Sequence, residues 1–502
     1  MSGAPATTLV QTEVTDGVEV PSRADMVAAS LGVAREMERH GFRPGDRVVL
    51  KADNSAAYVY ALLALAHLDA SLVLLDHRQT GAETRTVIEQ CRVRWVIGDG
   101  PDDGLCPGPG APRFLSLESL TAAPGPSSEA PTDLDFSRWQ RRTDALVAWS
   151  TGSTGRAKAI VKPGGGFLTN LRRTVAHMGY RDSDTFLPLL PFSHQYGLSL
   201  IFLAYLAGAS MLVSPFRRID LAIRAGAAHG ATIVDATPAT YRSLLNLAQR
   251  NPGLLEGLEG VRLWCTGGSP LDQTLSVRFR SLVGAPLLDG YGSTELGNVA
   301  FATPAHPLGC GRTLKGIDVR VAPESGDGAP GPDDSAGAEF GQIWVRSPDG
   351  MAGYLEPDGT IREQTGEWYR TGDFGYLSDD GDLFVIGRSH AVHRMGHLLY
   401  PEALAAKASG CGRQVVVVPV DDERWGSRLI FVVADPDEGD PQLWRELICS
   451  MLASYEHPNH VVVVPDLPLN RNGKIDTGRL RLLLRDDHPV IWSGRTRNGA
   501  VL

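Results

Sequence analysis

Two hydrophobic periodicities alternate along the first hundred residues. Residues 24–41 carry apolar side chains at helical spacing and end at a glycine, which predicts a helix. Helices are also predicted at 56–70 and 83–91, and short apolar runs between the helices predict strands. These strand-forming segments are 45–55, which ends in a turn, 71–76 and 94–100. Alternating strands and helices are typical of a parallel, doubly wound sheet.

The middle of the chain resumes this pattern after an interruption. Residues 101–132 are rich in proline, glycine and serine, and they predict a surface connection. An apolar strand at 144–149 follows, and a glycine-rich turn then leads into a helix at 164–179. The apolar end of 185–213 predicts a long buried helix that runs into a strand. Strand–loop units are predicted at 231–245, 260–271 and 285–297.

The last third of the chain predicts strands up to residue 388 and a small domain of mixed helices and strands after it. Strands at 317–323 and 339–347 flank a polar loop, and 367–388 contains a hairpin signal at Asp380-Gly381. Beyond residue 388 the pattern fits a small α+β domain. Its predicted strands are 413–420, 428–435 and 460–466, and its predicted helices are 401–409 and 442–454.

Composition narrows the class of protein. At 502 residues the chain exceeds one ordinary core, so two or more domains are expected. A hydrophobic content of 43% with 21% charged residues describes a soluble globular protein. The net charge of -10 argues against a nucleic-acid partner and against an anionic membrane.

Cysteine usage and the absence of apolar targeting segments indicate the compartment. The six cysteines are scattered without CxxC spacing, which suits reduced thiols and argues against a disulfide framework or a zinc site. The N-terminal residues lack a signal-peptide pattern, and the chain has no run of 18 apolar residues. A cytoplasmic protein is therefore expected.

A hydroxyl- and glycine-rich loop follows the strand at 144–149. Glycines let backbone N–H groups approach an anion closely, hydroxyls add donors, and a lysine adds a point charge. Together these groups predict a phosphate cradle, although a flexible surface loop has a similar composition. The spacing differs from that of the GxxxxGK[ST] loop. The residues concerned are Ser150, Thr151, Gly152, Ser153, Thr154, Gly155 and Lys158.

Three further motifs carry groups that suit a nucleotide. In the segment Tyr291–Glu295 an aromatic ring could stack on a base, a threonine hydroxyl could reach a phosphate and a carboxylate could hold Mg²⁺. Asp373, in the segment YRTGD, could accept hydrogen bonds from both ribose hydroxyls. Lys474, in NRNGKID, places a cation after an Asn-Gly turn. Taken singly, each motif could also be an ordinary turn.

The order of these motifs along nearly the whole chain resembles the adenylate-forming superfamily, which includes acyl-CoA synthetases, peptide-synthetase adenylation domains and luciferases. The resemblance implies that Lys474 stabilises charge at the α-phosphate during attack by a carboxylate. It also implies catalytic roles for His194, Thr294 and Glu295, with Glu295 as the Mg²⁺ ligand. The remaining nucleotide-binding residues implied are the loop 150–155 with Lys158, and Gly268, Ser269, Pro270, Asp289, Gly290, Tyr291, Gly292, Thr294, Asp373 and Arg388.

The segment 191–197, PFSHQYG, resembles the family's acid-pocket segment. Relatives that select α-amino acids carry an aspartate in this stretch, whereas here the candidate is His194. A histidine in such a place is otherwise a packed or capping residue. We therefore expect an aryl or acyl acid that lacks an α-ammonium group. The implied substrate-binding residues are Phe192, His194, Gly197, Gly267 and Gly292.

The acceptor of the second half-reaction is less clearly indicated. The segment 395–404 resembles the part of the small domain that enters the active site for acyl transfer, with Gly396 as the glycine past which an acceptor threads. Leu398 stands where arginine is frequent, and His390 stands at the hinge position, where Asp or Lys is usual. The sequence thus leaves coenzyme A, an amine and a carrier-protein thiol open as acceptors.

These observations combine into one hypothesis and two alternatives. We expect an α/β protein with a large N-terminal domain of several subdomains with doubly wound sheets (1–388) and a small mobile α+β domain (389–502). The predicted activity is adenylation of an acid by ATP and Mg²⁺, followed by transfer to coenzyme A or an amine. One alternative is a stand-alone enzyme that loads a carrier protein. The other is a catalytically inactive nucleotide-binding protein, against which the intact Lys158, Glu295, Asp373 and Lys474 argue.

Overall fold

The structure is a computed structural model of the whole chain. It describes residues 18–100, 111–122, 132–151, 157–322, 340–388, 392–394, 397–422, 426–470 and 474–487. The statements below concern these residues.

Helices and strands alternate through most of the described chain. The helices are α1 (Arg23–Arg39), α2 (Ala56–His67), α3 (Gly81–Cys91), α4 (Leu117–Thr121), α5 (Ser137–Gln140), α6 (Gly164–Met178), α7 (Gln195–Ala207), α8 (Ile219–Ala228), α9 (Pro238–Arg250), α10 (Gln273–Val283), α11 (Pro401–Ala408), α12 (Pro441–Cys449) and α13 (Thr477–Asp487). The strands are β1 (Arg47–Lys51), β2 (Ser71–Leu74), β3 (Trp95–Gly98), β4 (Arg113–Ser116), β5 (Leu146–Thr151), β6 (Ala157–Lys162), β7 (Thr185–Leu189), β8 (Ser210–Met211), β9 (Ile233–Ala236), β10 (Leu263–Gly267), β11 (Leu287–Ser293), β12 (Gly297–Phe301), β13 (Arg312–Thr313), β14 (Asp318–Ala322), β15 (Gly341–Arg346), β16 (Gly353–Leu355), β17 (Ile361–Glu363), β18 (Tyr369–Leu377), β19 (Leu383–Arg388), β20 (Val392–Arg394), β21 (His397–Leu399), β22 (Gln414–Asp422), β23 (Gly426–Ala434) and β24 (His460–Val464).

An eight-stranded sheet contains the predicted parallel core. Its strand order is β17-β16-β6-β5-β2-β1-β3-β4. The five strands from β5 to β4 are parallel to their neighbours, whereas β6, β16 and β17 add antiparallel pairs at the other edge. Strands β2 and β3 are buried along their whole length, as expected for parallel strands with both faces covered. The α/β fold class predicted from the sequence is confirmed.

The expectation of a bare surface connection at 101–132 is wrong for part of that segment. Strand β4 adds to the sheet beside β3, and α4 follows it directly. Leu115, Leu117 and Leu120 are each buried, with exposures of 7%, 2% and 1%. These few apolar residues anchor the segment although prolines, glycines and serines dominate its composition.

A second, seven-stranded sheet follows the phosphate-loop region in the chain. Its order is β13-β12-β11-β10-β9-β7-β8, and β8, β7, β9 and β10 run parallel to one another. The parallel strands β7, β9 and β10 are followed by α7, α9 and α10, so their carboxyl ends open toward the connections that carry the predicted acid and adenine segments. Ligands of α/β sheets bind at such carboxyl edges.

An aromatic cluster packs helices α5, α6 and α7 against one another. The rings of Trp139 and Phe202 stack with centroids 5.7 Å apart, and Phe167 meets Phe202 edge to face at 5.3 Å. Phe167 lies on α6 and Phe202 on α7, and α7 is buried almost all round. Such large rings dominate the energetics of a core.

The glycines at the start of α6 are required by close packing. We expected them to form a turn, but the helix begins at Gly164, directly after Pro163. A methyl group added at Gly164 would overlap the carbonyl oxygen of Trp139, and one added at Gly165 would lie 2.9 Å from the carbonyl oxygen of Gln140. The glycines therefore let α6 approach the α5 backbone.

The C-terminal strands form a small sheet of their own. Strand β22 pairs antiparallel with β23, which pairs parallel with β24. One face packs on residues of α11 and α12, and the other packs on Leu480 and Leu484 of α13. Because both faces are covered, β22 and β24 are continuous valine runs. The predicted strands and helices of this region are confirmed, and α13 is an addition to them.

The described residues group into two compact units. The first contains the described residues up to Gly268, with Leu288–Asp318 and Val345–Tyr369. The second contains Ser269–Leu287, the described residues from Val319 to Trp344, and those from Arg370 onward. A domain boundary at residue 388 stays a prediction. The hairpin predicted around Asp380-Gly381 is present as β18 and β19.

None of the helices in the described part of the chain is long and apolar enough to cross a bilayer.

Two helical glycines provide a test of the packing at α6. Gly164→Ala should destabilise the protein strongly, because the new methyl group has no room beside Trp139. Gly32→Ala, in α1, should be neutral or stabilising by up to about 1 kcal/mol, since nothing lies within 4 Å of its added methyl group. Thermal unfolding midpoints of the two variants test this. Equal midpoints would contradict the packing described here.

Candidate functional site

The predicted phosphate loop connects β5 to β6. These strands pair antiparallel, and Ser150 lies opposite Lys158. Lys158 is exposed, and its ammonium lies 5.3 Å from the ring centroid of Tyr354. Gly152, Ser153, Thr154 and Gly155 lie outside the described residues, as do the side chains of Ser150 and Thr151. The hairpin places the lysine next to the loop that it is predicted to serve.

The predicted adenine and metal segment occupies the end of β11 and the turn after it. Gly290 and Gly292 let β11 approach β12 closely. A methyl group at Gly290 would collide with the Phe301 ring, and one at Gly292 would collide with the Gly297 carbonyl oxygen. Asp289 is buried, and its carboxylate accepts hydrogen bonds from the Gly290 N–H (3.0 Å) and the Cys310 thiol (3.6 Å). This strand end is thus held in one conformation.

A buried lysine that the sequence analysis missed fixes the turn after β11. Lys162, the last residue of β6, is 1% exposed, and its Nζ donates to the Thr294 carbonyl oxygen at 3.0 Å. Burial lowers the pKa of Lys162 to about 8, while the nearby carboxylates Glu295 and Asp349 act in the opposite direction. The side chain therefore keeps its charge near neutral pH.

Backbone hydrogen bonds complete this connection, which we call the Lys162 clamp (Lys162, Thr294, Glu295, Asp349 and Met351). The Met351 N–H donates to the Glu295 carbonyl oxygen at 2.7 Å. The Asp349 carboxylate pairs with Arg173 at 2.9 Å, and burial nevertheless raises the pKa of Asp349. The strand that leaves the phosphate loop is thereby tied to the backbone of the two residues predicted to face the phosphates and Mg²⁺.

The Glu295 side chain suits a metal that is held mainly by a nucleotide. Its carboxylate is half-buried and makes no hydrogen bond or ion pair with another described residue. Within the described residues, no cluster of three or more histidine, cysteine or acidic side chains could hold a metal. Mg²⁺ is commonly bound through one or two carboxylates together with substrate phosphates. A single available carboxylate beside Thr294 fits that pattern.

The predicted acid segment forms the N-terminus of α7. His194 is the N-cap, and its Nδ1 accepts from the Tyr196 N–H at 3.3 Å. Phe192 is buried against the Tyr58 ring, with centroids 5.7 Å apart. Gly197 is required here because a methyl group would overlap the Pro191 carbonyl oxygen. His194 thus has the capping role that we set beside its predicted catalytic one, and the catalytic role stays a prediction.

The first turn of α7 reaches both neighbouring predicted motifs. The Gln195 amide donates to the Ser293 carbonyl oxygen at 3.3 Å, next to Thr294. The Tyr196 ring would lie 3.3 Å from a methyl group at Gly267, which would also lie 3.2 Å from the Gly290 carbonyl oxygen. The structure therefore brings together the acid segment, Gly267 at the end of β10 and the β11 segment.

Gly268, Ser269 and Pro270 continue from β10 toward α10. Gly268 has φ +82°, a conformation that favours glycine, and it is exposed. Ser269 is half-buried and Pro270 is exposed. Their predicted place beside the adenine remains a prediction.

The second unit carries Asp373 and the C-terminal lysine. Asp373 is 7% exposed and lies opposite Arg388 in the β18–β19 pair; its N–H donates to the Thr371 hydroxyl at 3.0 Å. The Arg388 side chain, His390 and Gly396 lie outside the described residues. Burial and the Asp373 charge raise the pKa of Glu402, which packs close to Gly387 on the neighbouring strand.

Lys474 pairs with Asn470 through two hydrogen bonds. Its N–H donates to the Asn470 carboxamide oxygen at 3.1 Å, and the Asn470 N–H donates to the Lys474 carbonyl oxygen at 2.7 Å. The side chain of Lys474 is exposed. The Asp476 carboxylate accepts from the Arg479 N–H at 2.9 Å at the start of α13. These bonds fix the Lys474 backbone relative to Asn470, while the Lys474 side chain stays exposed.

Two residues that now belong to the candidate site carried weak signals in the sequence. Lys162 is a lysine at the end of an otherwise apolar strand, and Asp235 is an acid inside the buried strand β9. A charged residue in a buried strand indicates a specific partner. The partners of these two residues, however, lie far away in the chain or on another element.

Two family models match the chain. The model described as AMP-binding enzyme matches residues 7–355, and the model described as AMP-binding enzyme C-terminal domain matches residues 406–474. The matches follow the order in which the sequence analysis placed a large and a small domain.

Curated relatives and solved structures resemble the chain along nearly all of its length. It is 28% identical to 3-hydroxybenzoate–CoA ligase from Aromatoleum sp. (strain CIB), with 95% of this chain and 94% of the relative covered. It is 26% identical to 2-succinylbenzoate–CoA ligase from Geobacillus sp. (strain WCH70), with 90% of each covered. The fold is similar to that of ATP-bound MatB from Rhodopseudomonas palustris, with a TM-score of 0.79, 23% identity, and 93% and 94% covered.

The Lys162 clamp predicts that replacing Lys162 lowers the use of MgATP, an effect that replacing a lysine elsewhere in the same sheet should not have. Lys162→Met keeps the apolar stem but leaves the Thr294 carbonyl without its buried donor. We expect kcat/KM for MgATP to fall about 10- to 100-fold, the scale of a buried carbonyl left unsatisfied. The KM for the second substrate should change little. The midpoint of thermal unfolding should fall, because the Thr294 carbonyl and the nearby carboxylates lose their buried cation, although removal of the buried charge offsets part of that cost.

Lys51→Met is the matched control, because Lys51 Nζ donates to the Gln79 carbonyl at 2.8 Å from β1 of the same sheet. The value of kcat/KM for MgATP should be unchanged in this variant. If the two variants behaved alike, Lys162 would be a structural residue only.

Proposed function

Because the chain belongs to the family of AMP-binding enzymes, we propose that it is an ATP-dependent carboxylic acid ligase that makes an acyl adenylate and then a coenzyme A thioester. The observation that carries the proposal is the Lys162 clamp, which ties the strand of the phosphate hairpin to the Thr294–Glu295 backbone. An enzyme that activates an acid on ATP needs its phosphate-binding and metal-binding groups in a fixed relation.

In the first step a carboxylate oxygen of the acid attacks the α-phosphorus of ATP. The bond from that phosphorus to the bridging oxygen of pyrophosphate breaks, giving acyl-AMP and pyrophosphate. Lys158, the loop before it and the Thr294 hydroxyl would bind phosphate oxygens. Mg²⁺, held by Glu295, would neutralise charge on the phosphates as they separate. Asp373 would bind the ribose, and Asp289 to Gly292 would border the adenine.

Lys474 would supply the cation for the same step. Negative charge builds at the α-phosphate during attack, and a preorganised ammonium stabilises that charge. The two hydrogen bonds between Asn470 and Lys474 support this role, because they limit the freedom of the lysine backbone while its side chain remains exposed.

In the second step the thiol of coenzyme A attacks the acyl carbonyl. The carbon–oxygen bond to AMP breaks, the thiol proton leaves, and a thioester remains. Coenzyme A is favoured over an amine or a carrier-protein thiol because both relatives named above are CoA ligases that match over at least 90% of their own length. The same names support an aryl acid as the substrate. A cytoplasmic location suits these substrates.

The proposal is tested by product analysis. The purified protein is incubated with MgATP and a panel of aryl and aliphatic acids, and pyrophosphate release is followed without acceptor, with coenzyme A and with simple amines. An acid-dependent release that coenzyme A accelerates, with a thioester identified by mass spectrometry, supports the proposal. Absence of release with every acid would favour an inactive nucleotide-binding protein, and acceleration by amines alone would make the enzyme an amide synthetase.

Glu295→Ala should abolish Mg²⁺-dependent adenylation. The metal loses its protein carboxylate, so the phosphates keep their charge in the transition state. ATP binding should survive in part, and calorimetric titration with ATP measures it separately. Glu446→Ala, on the exposed side of α12, is the control and should retain full activity. Undiminished turnover in the Glu295 variant would remove this residue from the metal site.

Lys474→Ala should lower the rate of acyl-AMP formation by roughly 10²–10³, the scale for loss of one preorganised donor or charge. Thioester formation from chemically synthesised acyl-AMP should fall much less, because the proposed role of Lys474 is in the attack at the α-phosphorus, and that attack has already taken place in acyl-AMP. Single-turnover assays of each half-reaction measure the two effects. Arg481→Ala, an exposed cation on α13, is the control. Equal losses in both half-reactions would show that Lys474 has another role.

A further inference from the structure

A buried acid lies one residue before the carboxyl end of β9. Asp235 is 3% exposed, and its Oδ1 accepts a hydrogen bond from the Tyr196 hydroxyl at 3.0 Å. Tyr196 belongs to the first turn of α7, the element that begins at His194. The pair therefore joins the predicted acid segment to the strand beside it, at the sheet edge where ligands of α/β proteins bind.

The charge of Asp235 is poorly compensated. Among the described residues Tyr196 is the one that donates to its carboxylate, and no lysine, arginine or histidine pairs with it. Burial raises the pKa of Asp235 to about 7 against the opposing effect of that hydrogen bond. A second carboxylate oxygen, Oδ2, is left without a donor from the described protein. A buried carboxylate with unused acceptor capacity is costly to keep unless something binds there.

The surroundings of Tyr196 connect this pair to the β11 segment. The Tyr196 ring lies against Gly267, and Gly267 lies against the Gly290 carbonyl of β11. The neighbouring residue Gln195 reaches the Ser293 carbonyl. Tyr196 as a residue is half-buried, and its hydroxyl points to Asp235. One helical turn thus spans from the predicted metal segment to the buried acid.

We propose that Tyr196 and Asp235 form the specificity-determining end of the acid pocket, where they bind a hydrogen-bond donor, a hydroxyl or amino group, carried by the acid on the side away from its carboxylate. This inference rests on the proposed function and adds the substrate class to it. Oδ2 accepts from the donor, and Tyr196 holds the carboxylate in place through Oδ1. In this proposal the Tyr196 ring packs on the hydrocarbon or aryl body of the acid.

The chemistry selects against close analogues. An acid with a methyl group in place of the hydroxyl or amino group would bury Asp235 without any hydrogen bond to Oδ2. Sites built to bond a substrate hydroxyl reject analogues that lack it much more strongly than hydrophobic pockets reject a change of one methylene. The pair therefore discriminates by the cost of leaving a buried acceptor unsatisfied.

The test uses four benzoic acids that carry hydrogen, methyl, hydroxyl or amino at the meta position, and then the same series at the para position. Pyrophosphate release with saturating MgATP gives kcat/KM for each acid with the wild type, Asp235→Asn and Tyr196→Phe. Acid binding to the nucleotide-free proteins is measured in parallel by calorimetry, so that the preference is read even where turnover is absent.

Tyr241→Phe is the matched control. Its hydroxyl donates to the Val234 and Cys265 carbonyls in the same buried region, so the variant also removes one buried phenol oxygen. Thermal unfolding of all variants shows that they are folded. Asp235→Asn should not lower the unfolding midpoint, because it removes a poorly compensated buried charge.

We expect the wild type to prefer the hydroxyl or amino acid over its methyl analogue by about tenfold or more at one ring position, and Asp235→Asn and Tyr196→Phe each to reduce that ratio at least several-fold. The KM for ATP and the ratio in Tyr241→Phe should stay unchanged. A wild-type ratio near one at both positions, in turnover and in binding, would overturn the inference, as would ratios that neither variant alters. Failure of the proposed function is distinct, because it would show as binding preference without pyrophosphate release.

Discussion

A buried ammonium holds the candidate site together. Removing a lysine from water is costly, and among the described residues the Thr294 carbonyl at 3.0 Å and the nearby carboxylates of Glu295 and Asp349 offset that cost for Lys162. These partners are residues of the predicted catalytic segment and of the connection that leads into β16. Strand β6 is therefore held in a fixed position relative to the turn that carries Thr294 and Glu295. The remaining site residues of this unit lie near that turn or on elements in contact with it.

The rest of the first unit supports this arrangement by close backbone packing. Glycines at 164, 197, 290 and 292 stand where a methyl group would collide with a backbone or a ring, so α6, α7 and β11 approach their neighbours more closely than other residues would allow. The first turn of α7 then links the β11 segment, through Gln195, to Asp235, through Tyr196. Two buried charged groups of this unit, Lys162 and Asp235, lie at or near strand ends. The Lys162 ammonium has hydrogen-bond and charge partners within the protein. The Asp235 carboxylate has one donor, Tyr196, and can accept a further hydrogen bond from a ligand.

Sequence periodicity was sufficient for the elements whose faces are uniformly buried. The apolar helices α2 and α7 and the valine strands β22 and β24 were predicted because burial on both sides leaves a continuous apolar run. The strand β4 was missed because a few leucines decide its burial within a segment rich in proline and glycine. The motifs gave the candidate residues, but Lys162 was invisible to motif reasoning: its partner Thr294 is 132 positions away, and only the folded sheet brings the two together. Asp235 and Tyr196 are 39 positions apart and were missed for the same reason.

Acid-dependent exchange of labelled pyrophosphate into ATP, measured without coenzyme A, tests the central claim most directly. It reports the reversible first half-reaction alone, and so it depends on the phosphate hairpin, the Lys162 clamp and Lys474 and not on the acceptor. We expect label to enter ATP only when Mg²⁺ and an accepted acid are both present. Exchange that proceeds equally well without any acid, or that requires coenzyme A, would contradict the assignment of this chain as an enzyme that forms an acyl adenylate.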